Sequence, residues 1–205
     1  TALEELACFD VPALTGEDRV RGQLYVAERR RRELPRALPT VDEFLAGLGI
    51  HVTIEPYRSA SAARITQLIN RTSQMNLQTR RLTNAELDAW IDPSRRRLWA
   101  FRVHDRFGDA GICGVLGLEL DGDRASVTDF VMSCRVLGRK VEDVMLQTAV
   151  DAARAAGAIR LEARYHPTTK NHLCLEFFDR CGFHRDDHVF SWNTAESYPV
   201  PEYLT

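Results

Sequence analysis

The sequence has no uninterrupted apolar run long enough to cross a bilayer, and its start shows no basic segment followed by an apolar one. These absences argue against an integral membrane protein and a secreted one, so we expect a cytoplasmic location. An excess of charge is also missing, because 29 acidic residues accompany 27 basic residues. A nearly neutral chain gives no support to a nucleic-acid partner or to a polybasic contact with a membrane.

No Cys-x-x-Cys pair occurs among the cysteines, which are Cys8, Cys113, Cys134, Cys174 and Cys181. An odd number of cysteines without a secretion signal indicates reduced thiols and not a disulfide framework. His172 and His184 lie near Cys174 and Cys181 in the sequence, which raises the question of a zinc site. The two cysteines share a helical face with two phenylalanines, so we expect small core residues there and no metal.

The chain does contain enough apolar residues for a globular core, at 44% of 205 residues. Residues 1–49 carry two helix patterns. One begins at Thr15, and a shorter one begins at Thr40, where Glu43 completes a capping box. We expect this stretch to be a helical appendage and residues 50–205 to form the main domain.

From position 50 onward, runs of alternating polarity and runs of helical periodicity predict the order β-α-α-β-β-β-α-β-α-β. The first of these helices is expected over residues 61–76. The second begins at a capping box made by Thr83 and Glu86, and Asp121-Gly122 is a hairpin signal between two strands. The predicted fold class is α/β, a mixed sheet with helices on both faces.

The turn Arg135-x-x-Gly138 lies between a strand and a helix, and Asn171 precedes a helix that ends in Gly182-Phe183. Both features resemble motifs of the GNAT acyltransferase fold. More narrowly, four stretches in order resemble the C-terminal half of FkbH-like proteins: INRTSQMNLQTRR, VHDRFGDAGICGV, DFVMSCRVLGRKVED and YHPTTKN. The resemblance implies a GNAT-like sheet in which two strand ends splay apart to admit a pantetheine arm.

FkbH-like proteins join a HAD-type phosphatase domain to this half. They take a glyceryl group from 1,3-bisphosphoglycerate and deliver it as a thioester to the phosphopantetheine arm of an acyl carrier protein, for polyketide assembly and methoxymalonyl precursors. The resemblance thus implies an acyl carrier protein and an acyl phosphate donor as partners. It implies no tightly bound cofactor in this half, with Mg²⁺ confined to the phosphatase half.

The phosphatase signature, Asp-x-Asp-x-Thr or Val after an apolar strand, is not matched. Asp121-Gly122-Asp123 follows an apolar run, but Ala125 occupies the position of the Thr or Val, so a hairpin turn explains the pattern better. We therefore expect a fragment that begins near the end of the phosphatase half, with residues 1–49 as its tail or linker.

Cys134 is the candidate nucleophile, because a thiolate attacks an acyl phosphate readily to form a thioester. Arg135, Arg139 and Lys140 follow it, and cations favour the ionised thiol. The alternative is a small buried residue at the end of a strand, and the family resemblance favours the nucleophile. His166 ends the strand after the next helix and is our candidate general base.

The loop after Cys134 resembles the pyrophosphate-binding turn of GNAT enzymes, and its expected phosphopantetheine-binding residues are Arg135, Val136, Leu137, Gly138, Arg139 and Lys140, with Asn171. Backbone amides and a helix N-terminus in such a turn bind anionic oxygens. Lys140 stands where the GNAT pattern has a small residue. This departure weakens the case for coenzyme A and favours a single phosphate.

The stretch TSQMNLQTRR precedes a helix in the region that overlies the acyl site of GNAT enzymes. Asn76, Thr79, Arg80 and Arg81 are candidates to bind the hydroxyls and distal phosphate of a phosphoglyceryl donor. Helix capping and a solvated basic turn are an equal alternative. Asp129, a carboxylate in an apolar strand, must have a partner and is a further candidate at the substrate site.

Two other functions remain open from the sequence. One is an N-acyltransferase that uses acetyl-CoA directly, which needs no cysteine nucleophile. The other is a non-catalytic module that only docks a carrier protein. A cysteine beside a phosphate-binding turn favours the acyl relay over both, because neither alternative requires a thiol at that position.

Overall fold

Five helices and seven strands follow one another over residues 40–204, the part of the chain that this computed structural model describes. The expected helix from Thr15 lies outside the described residues. In chain order the elements are α1 (Val41–Leu48), β1 (His51–Pro56), α2 (Ala62–Arg71), α3 (Asn84–Trp90), β2 (Arg96–Asp105), β3 (Gly108–Asp121), β4 (Arg124–Met132), α4 (Val141–Ala155), β5 (Arg160–Arg164), α5 (His172–Arg180), β6 (His184–Asp186) and β7 (Val189–Asn193). Short 3₁₀ turns cover Ser59–Ser61 and Cys134–Val136.

Capping residues set the limits of the first and third helices. Thr40 and Glu43 form the expected capping box at the start of α1, and Gly49 ends that helix in the left-handed conformation at φ +58°. Thr83 and Glu86 form the second expected box at the start of α3. Both boxes satisfy backbone N–H groups that a helix terminus leaves without partners, so these boundaries are determined locally.

The strands form one mixed sheet in the order β1-β2-β3-β4-β5-β7-β6. β4 and β5 are parallel, and the other neighbouring pairs are antiparallel. The hairpin expected at Asp121-Gly122 joins β3 to β4. The sequence order is confirmed except for β6, a strand of three exposed residues that has no apolar alternation to reveal it.

Helices cover both faces of the sheet, as expected. Helices α1, α4 and α5 contribute to the larger buried cluster on one face, and α2 and α3 contribute to the smaller cluster on the other. Leu45 and Leu48 of α1 belong to the larger cluster, so this helix packs with the main domain although the boundary was expected at residue 49. Among the described residues, none of the helices has the length and apolar character that crossing a membrane requires.

The first long helix is shorter than its sequence pattern predicts. It was expected over residues 61–76, but α2 ends at Arg71 and Thr72 adopts an extended conformation at φ −88° and ψ 128°. The side-chain amide of Asn76 donates to the carbonyls of Ile69 and Thr72, at 3.3 and 3.0 Å. These bonds cap the C-terminal end of α2 and let the following residues leave the helix.

Gly117 of β3 allows close packing against β4. A Cβ atom at this position would lie 2.6 Å from Asp129 Oδ2 and 2.6 Å from Thr128 Oγ1. We predict that Gly117→Ala lowers the free energy of unfolding by about 1–3 kcal/mol, because the methyl group must displace the carboxylate. Urea denaturation measures the loss.

The matched control is Gly122→Ala in the hairpin turn, where φ is +60° and no heavy atom lies within 4 Å of the added Cβ. Its cost arises from the backbone conformation alone, about 1 kcal/mol. The cost of Gly117→Ala should also shrink in an Asp129→Ala background. An unchanged cost in that background would show that the contact with Asp129 is not the cause.

Candidate active site

The end of β4 diverges from β5. Residues Arg124–Val127 of β4 pair with Arg160–Ala163 of β5. Beyond Val127, β4 continues to Met132 without pairing with β5. A bulge interrupts the pairing of β4 with β3, because Gly117 faces Asp129 and Leu118 faces Val127. The splayed strand ends expected from the sequence are therefore present.

A stretch of the same chain fills the gap between these strands. We call Met75–Gln78 the inserted segment. The Leu77 N–H donates to the carbonyl of Phe130 at 3.1 Å, and the Met132 N–H donates to the carbonyl of Met75 at 2.9 Å. On its other side the Leu77 carbonyl accepts from the His166 N–H at 3.0 Å. An open slot for a pantetheine arm was expected here, and that expectation is wrong for this conformation.

Asn171 fastens the inserted segment to the sheet. Its side-chain amide donates to the carbonyls of Asn76 and His166 at 3.0 and 2.9 Å. Its Oδ1 accepts from the Tyr165 hydroxyl and the Thr168 N–H, both at 2.8 Å. Asn171 is fully buried, and these bonds satisfy both ends of its amide. The residue is engaged within the protein in place of the expected contact with phosphopantetheine.

Cys134 lies at the surface, at the start of the 3₁₀ turn that follows β4. It is the exposed cysteine of residues 40–204, since Cys113 and Cys174 are buried and Cys181 is half-buried. Burial raises the pKa of the Cys174 thiol, and it raises the pKa of Cys181 to about 11. The alternative of a small residue sealed at a strand end does not describe Cys134.

His166 does not lie beside Cys134 as a general base would. Leu77 pairs with Phe130 on one side and with His166 on the other, so two strand spacings, roughly 9–10 Å, separate His166 from β4. The side chains of Cys134 and His166 are both exposed, and neither makes a hydrogen bond with any residue between positions 40 and 204. The structure places both residues near the gap but does not form a hydrogen-bonded pair.

The turn after Cys134 is anchored from the inside. The Arg139 guanidinium lies 3.3 Å from Asp105 Oδ2, and the two side chains are 9% and 1% exposed. Val136 is fully buried and Leu137 is half-buried. Arg139 was expected to bind phosphate, but its side chain forms a buried ion pair that joins the turn to the end of β2. The apolar side chains of Val136 and Leu137 likewise pack inward.

The outer side of the same turn keeps the groups that suit an anion. Gly138 and Lys140 have positive φ values of +74° and +64°, which carry the chain into the N-terminus of α4. Within the described part of the chain, the N–H groups of Gly138, Lys140 and Val141 have no hydrogen-bond acceptor. The Lys140 side chain is exposed and lies 3.7 Å from Asp143. Such an arrangement is able to bind one phosphate.

Asp129 has the partner that the sequence required. Its Oδ1 accepts from Arg80 Nε at 2.7 Å, and its Oδ2 accepts from Arg80 Nη2. The Arg80 guanidinium also lies 4.7 Å from the centre of the Trp90 ring. Asp129 is only 2% exposed, so the pair is structural in this conformation.

The other candidates near Arg80 divide into two groups. Asn76 is buried, and its Oδ1 accepts from the Thr79 N–H at 2.8 Å, while Thr79 has a positive φ of +55°. These two residues form the capped turn that was the alternative interpretation of the stretch. Arg81 is exposed and remains a candidate for a substrate phosphate.

Sequence reasoning missed a cavity of about 430 Å³ near the first turn of α4. Lys140, Glu142 and Asp143 line it with Arg180 and Tyr198. Glu142 is 3% exposed and its Oε2 has no hydrogen-bond partner in the described structure. Burial raises the pKa values of Glu142 and Asp143. Acidic residues in a first helical turn are common, so the sequence held no signal for this cavity.

No metal site accompanies these residues: within positions 40–204, no three His, Cys, Asp or Glu side chains lie together as a metal ion would need. Cys174 packs in the core with Phe177 and Phe178, which are its neighbours in α5.

Solved structures with a similar fold include acetyltransferases. The chain is similar to the ribosomal-protein-S18-alanine N-acetyltransferase of Escherichia coli, at 10% identity and a TM-score of 0.52 over 71% of this chain and 96% of that one. It is similar to a GNAT-family acetyltransferase of Streptococcus pneumoniae, at 14% identity and a TM-score of 0.53 over 69% and 98%. It is also similar to Rv2747 of Mycobacterium tuberculosis, solved with CoA and NLQ, at 16% identity and a TM-score of 0.51 over 66% and 73%.

No family model matches the chain, and no curated protein matches it. The chain has the GNAT acetyltransferase fold, and identities this low establish the fold alone.

We predict that Cys134 is alkylated by iodoacetamide at pH 8 at least roughly tenfold faster than Cys174 or Cys181, because Cys174 is buried, Cys181 is half-buried and both thiols have raised pKa values. Peptide mapping after short labelling times measures the three rates in one sample. Equal rates, or slower labelling of Cys134, would contradict its exposure at the end of β4.

We predict that Glu142→Gln raises the melting temperature at pH 7.5 but not at pH 4. The folded-state pKa of this buried carboxyl is above its ordinary value, so the wild type loses stability as pH rises from about 4.5 through the folded pKa. The glutamine has no charge to bury, so it avoids that loss, whereas both proteins carry a neutral group at low pH. A melting temperature unchanged at pH 7.5 would show that burial does not penalise this carboxylate.

Proposed function

We propose that this chain is an acyltransferase that holds an acyl group on the sulfur of Cys134 and passes it to the phosphopantetheine thiol of an acyl carrier protein. The observation that carries the proposal is the exposure of Cys134 directly before a turn with unpaired backbone N–H groups. The proposed donor is 1,3-bisphosphoglycerate, taken from the resemblance to FkbH-like proteins. The setting would be polyketide biosynthesis, including methoxymalonyl units.

The chemistry requires two exchanges at one carbonyl carbon. The Cys134 thiolate attacks the carbonyl carbon of the acyl phosphate and forms a C–S bond. The bond between this carbon and the bridging oxygen of the phosphate group breaks, and inorganic phosphate leaves. The carrier thiolate then attacks the thioester, a new C–S bond forms, and the Cys134 thiolate departs. The first product still bears its distal phosphate, whose removal belongs to the phosphatase half that the resemblance implies.

Positive groups near Cys134 match the charges of these steps. Arg135 directly follows the cysteine, and its Nε donates to Ser133 Oγ at 3.2 Å. Lys140 is exposed at the far end of the turn, where α4 begins. A cation and a helix N-terminus stabilise a leaving phosphate or the phosphate of a carrier arm. Arg139 supports the site indirectly, because its ion pair with Asp105 fixes the path of the turn.

The thiol proton has a direct route to water in this arrangement. Cys134 is exposed, and His166 stands across the inserted segment from β4. In our proposal the proton therefore leaves to solvent, and His166 is not required for the first exchange. Its role as a general base remains a prediction that a His166→Gln variant would test.

An N-acyltransferase that uses acetyl-CoA is the second candidate, because similar solved structures include acetyltransferases and a further similar structure was solved with CoA. The residues of this chain do not fit that cofactor well. Lys140 replaces the small residue of the pyrophosphate turn, and the inserted segment occupies the gap where a pantetheine arm would lie. No step of the proposed reaction therefore depends on coenzyme A.

The decisive experiment is to incubate the chain with 1,3-bisphosphoglycerate and to measure its intact mass. We predict an increase of one phosphoglyceryl group in the wild type, because the exposed Cys134 thiolate displaces the acyl phosphate. Hydroxylamine should remove the adduct, since it cleaves thioesters. Addition of a phosphopantetheinylated carrier protein should transfer the group to the carrier.

Cys134→Ala should carry no adduct and keep the circular dichroism spectrum of the wild type. Cys181→Ala is the matched control, because this half-buried thiol has a pKa raised to about 11 and should not accept the group. An adduct that persists in Cys134→Ala would overturn the proposal. Transfer from acetyl-CoA to an amine, unaffected by Cys134→Ser, would favour the second candidate. Carrier binding without any adduct would indicate a docking module.

A further inference from the structure

We propose that the inserted segment determines the thiol specificity of this protein, by excluding coenzyme A thioesters from the gap between β4 and β5 and confining acyl exchange to Cys134 at the surface. The inference rests on the proposed function, because it specifies that the carrier thiol must reach Cys134 from the surface and not through the gap between β4 and β5. Met75 and Leu77 are then the residues that determine specificity, and neither takes part in the chemistry.

The backbone of the inserted segment uses the groups that an arm between the strands would need. An extended ligand in the gap would pair with the free edge of β4, in the way that an added strand extends a sheet. The carbonyl of Phe130 and the N–H of Met132 already pair with Leu77 and Met75. The N–H of His166, beyond the end of β5, pairs with Leu77 as well. Both sides of the gap are thus occupied.

The side chains of the segment occupy the space as completely as its backbone does. Met75 is 2% exposed and Leu77 is fully buried, and both belong to the core cluster shared with α4 and α5. Phe130 and Phe177 belong to the same cluster. A pantetheine arm would have to displace two packed apolar side chains into water, which opposes entry.

Anchors at both ends distinguish a fixed segment from a movable gate. Asn76 caps α2 and receives the Asn171 amide on its carbonyl at 3.0 Å. At the other end, the Gln78 amide donates to the Val127 carbonyl at 3.1 Å. The ion pair of the partly exposed Arg80 with the buried Asp129 follows two residues later. Displacement would break these bonds together, so the segment is a constant part of the sheet.

The direct test is hydrogen exchange of the wild type with and without millimolar coenzyme A. We expect the backbone amides of Leu77, Met132 and His166 to remain protected and unchanged, because no ligand enters the gap. Loss of protection at these three amides on addition of coenzyme A would overturn the inference, since it would show that the segment opens as a gate.

A double variant tests whether the side chains of the inserted segment cause the exclusion of coenzyme A. Met75→Ala with Leu77→Ala should weaken the segment and allow coenzyme A to bind with an affinity roughly tenfold or more above that of the wild type. Leu116→Ala is the matched control, because Leu116 is fully buried in the same cluster but belongs to β3. It should lower stability without creating a site. Equal gains in both variants would contradict a specific role for the segment.

The adduct on Cys134 separates this inference from the proposed function. If the wild type forms no adduct on Cys134 but its inserted segment still excludes coenzyme A, the proposed function is wrong and the present inference holds. If the wild type forms the adduct but coenzyme A displaces the inserted segment, the present inference is wrong and the proposed transfer through Cys134 holds. Both measurements use the same preparation of the chain.

Discussion

The free edge of β4 beyond Val127 is the constraint on which the candidate site depends. Once β5 diverges, the backbone groups of Phe130 and Met132 lie in a buried region where water cannot reach them. Buried backbone groups without partners carry a large free-energy penalty. The chain satisfies them with its own residues, the inserted segment, and not with a ligand. The gap in which a pantetheine arm was expected is therefore closed by the same interaction that completes the sheet.

This pairing explains the positions of several polar residues. Because the inserted segment must leave the helix to reach β4, α2 ends early and Asn76 caps it. The far side of the segment pairs with His166, and the Asn171 side-chain amide donates to the carbonyls of both Asn76 and His166. His166 is consequently held away from β4. These residues form one hydrogen-bonded group, in which each amide is used within the protein.

Charge is divided between the interior and the surface in a similar way. Arg139 and Arg80 each pair with a nearly inaccessible aspartate, Asp105 and Asp129 respectively. A buried carboxylate needs such a partner, since an unpaired charge in the interior is strongly destabilising. The cations that remain near Cys134 are at its own turn and at the start of α4. The described structure thus presents an exposed thiol and a turn with unpaired backbone N–H groups on the outside of a sheet whose gap is filled.

Local patterns were enough to predict most of the elements. The two capping boxes, the Asp121-Gly122 hairpin and the alternation of the long strands involve residues near one another in the chain, and the structure confirms them. The same is true of the turn that follows Cys134, because the cysteine and its turn are neighbours in the sequence. The early end of α2 escaped prediction because helical periodicity continues past Arg71 without a break. The strand β6 escaped it because its three residues are all exposed and show no apolar alternation.

The sequence by itself determined the order of elements and the placement of Cys134 before a basic, glycine-containing turn, because each depends on contacts within a few residues. Only the tertiary structure decided which candidate residues are free for a ligand. Arg80 finds its partner 49 positions away, and Asn171 reaches the carbonyl of Asn76 across 95 positions. Partners so distant are selected by the packing of the whole sheet, and no local pattern records that selection.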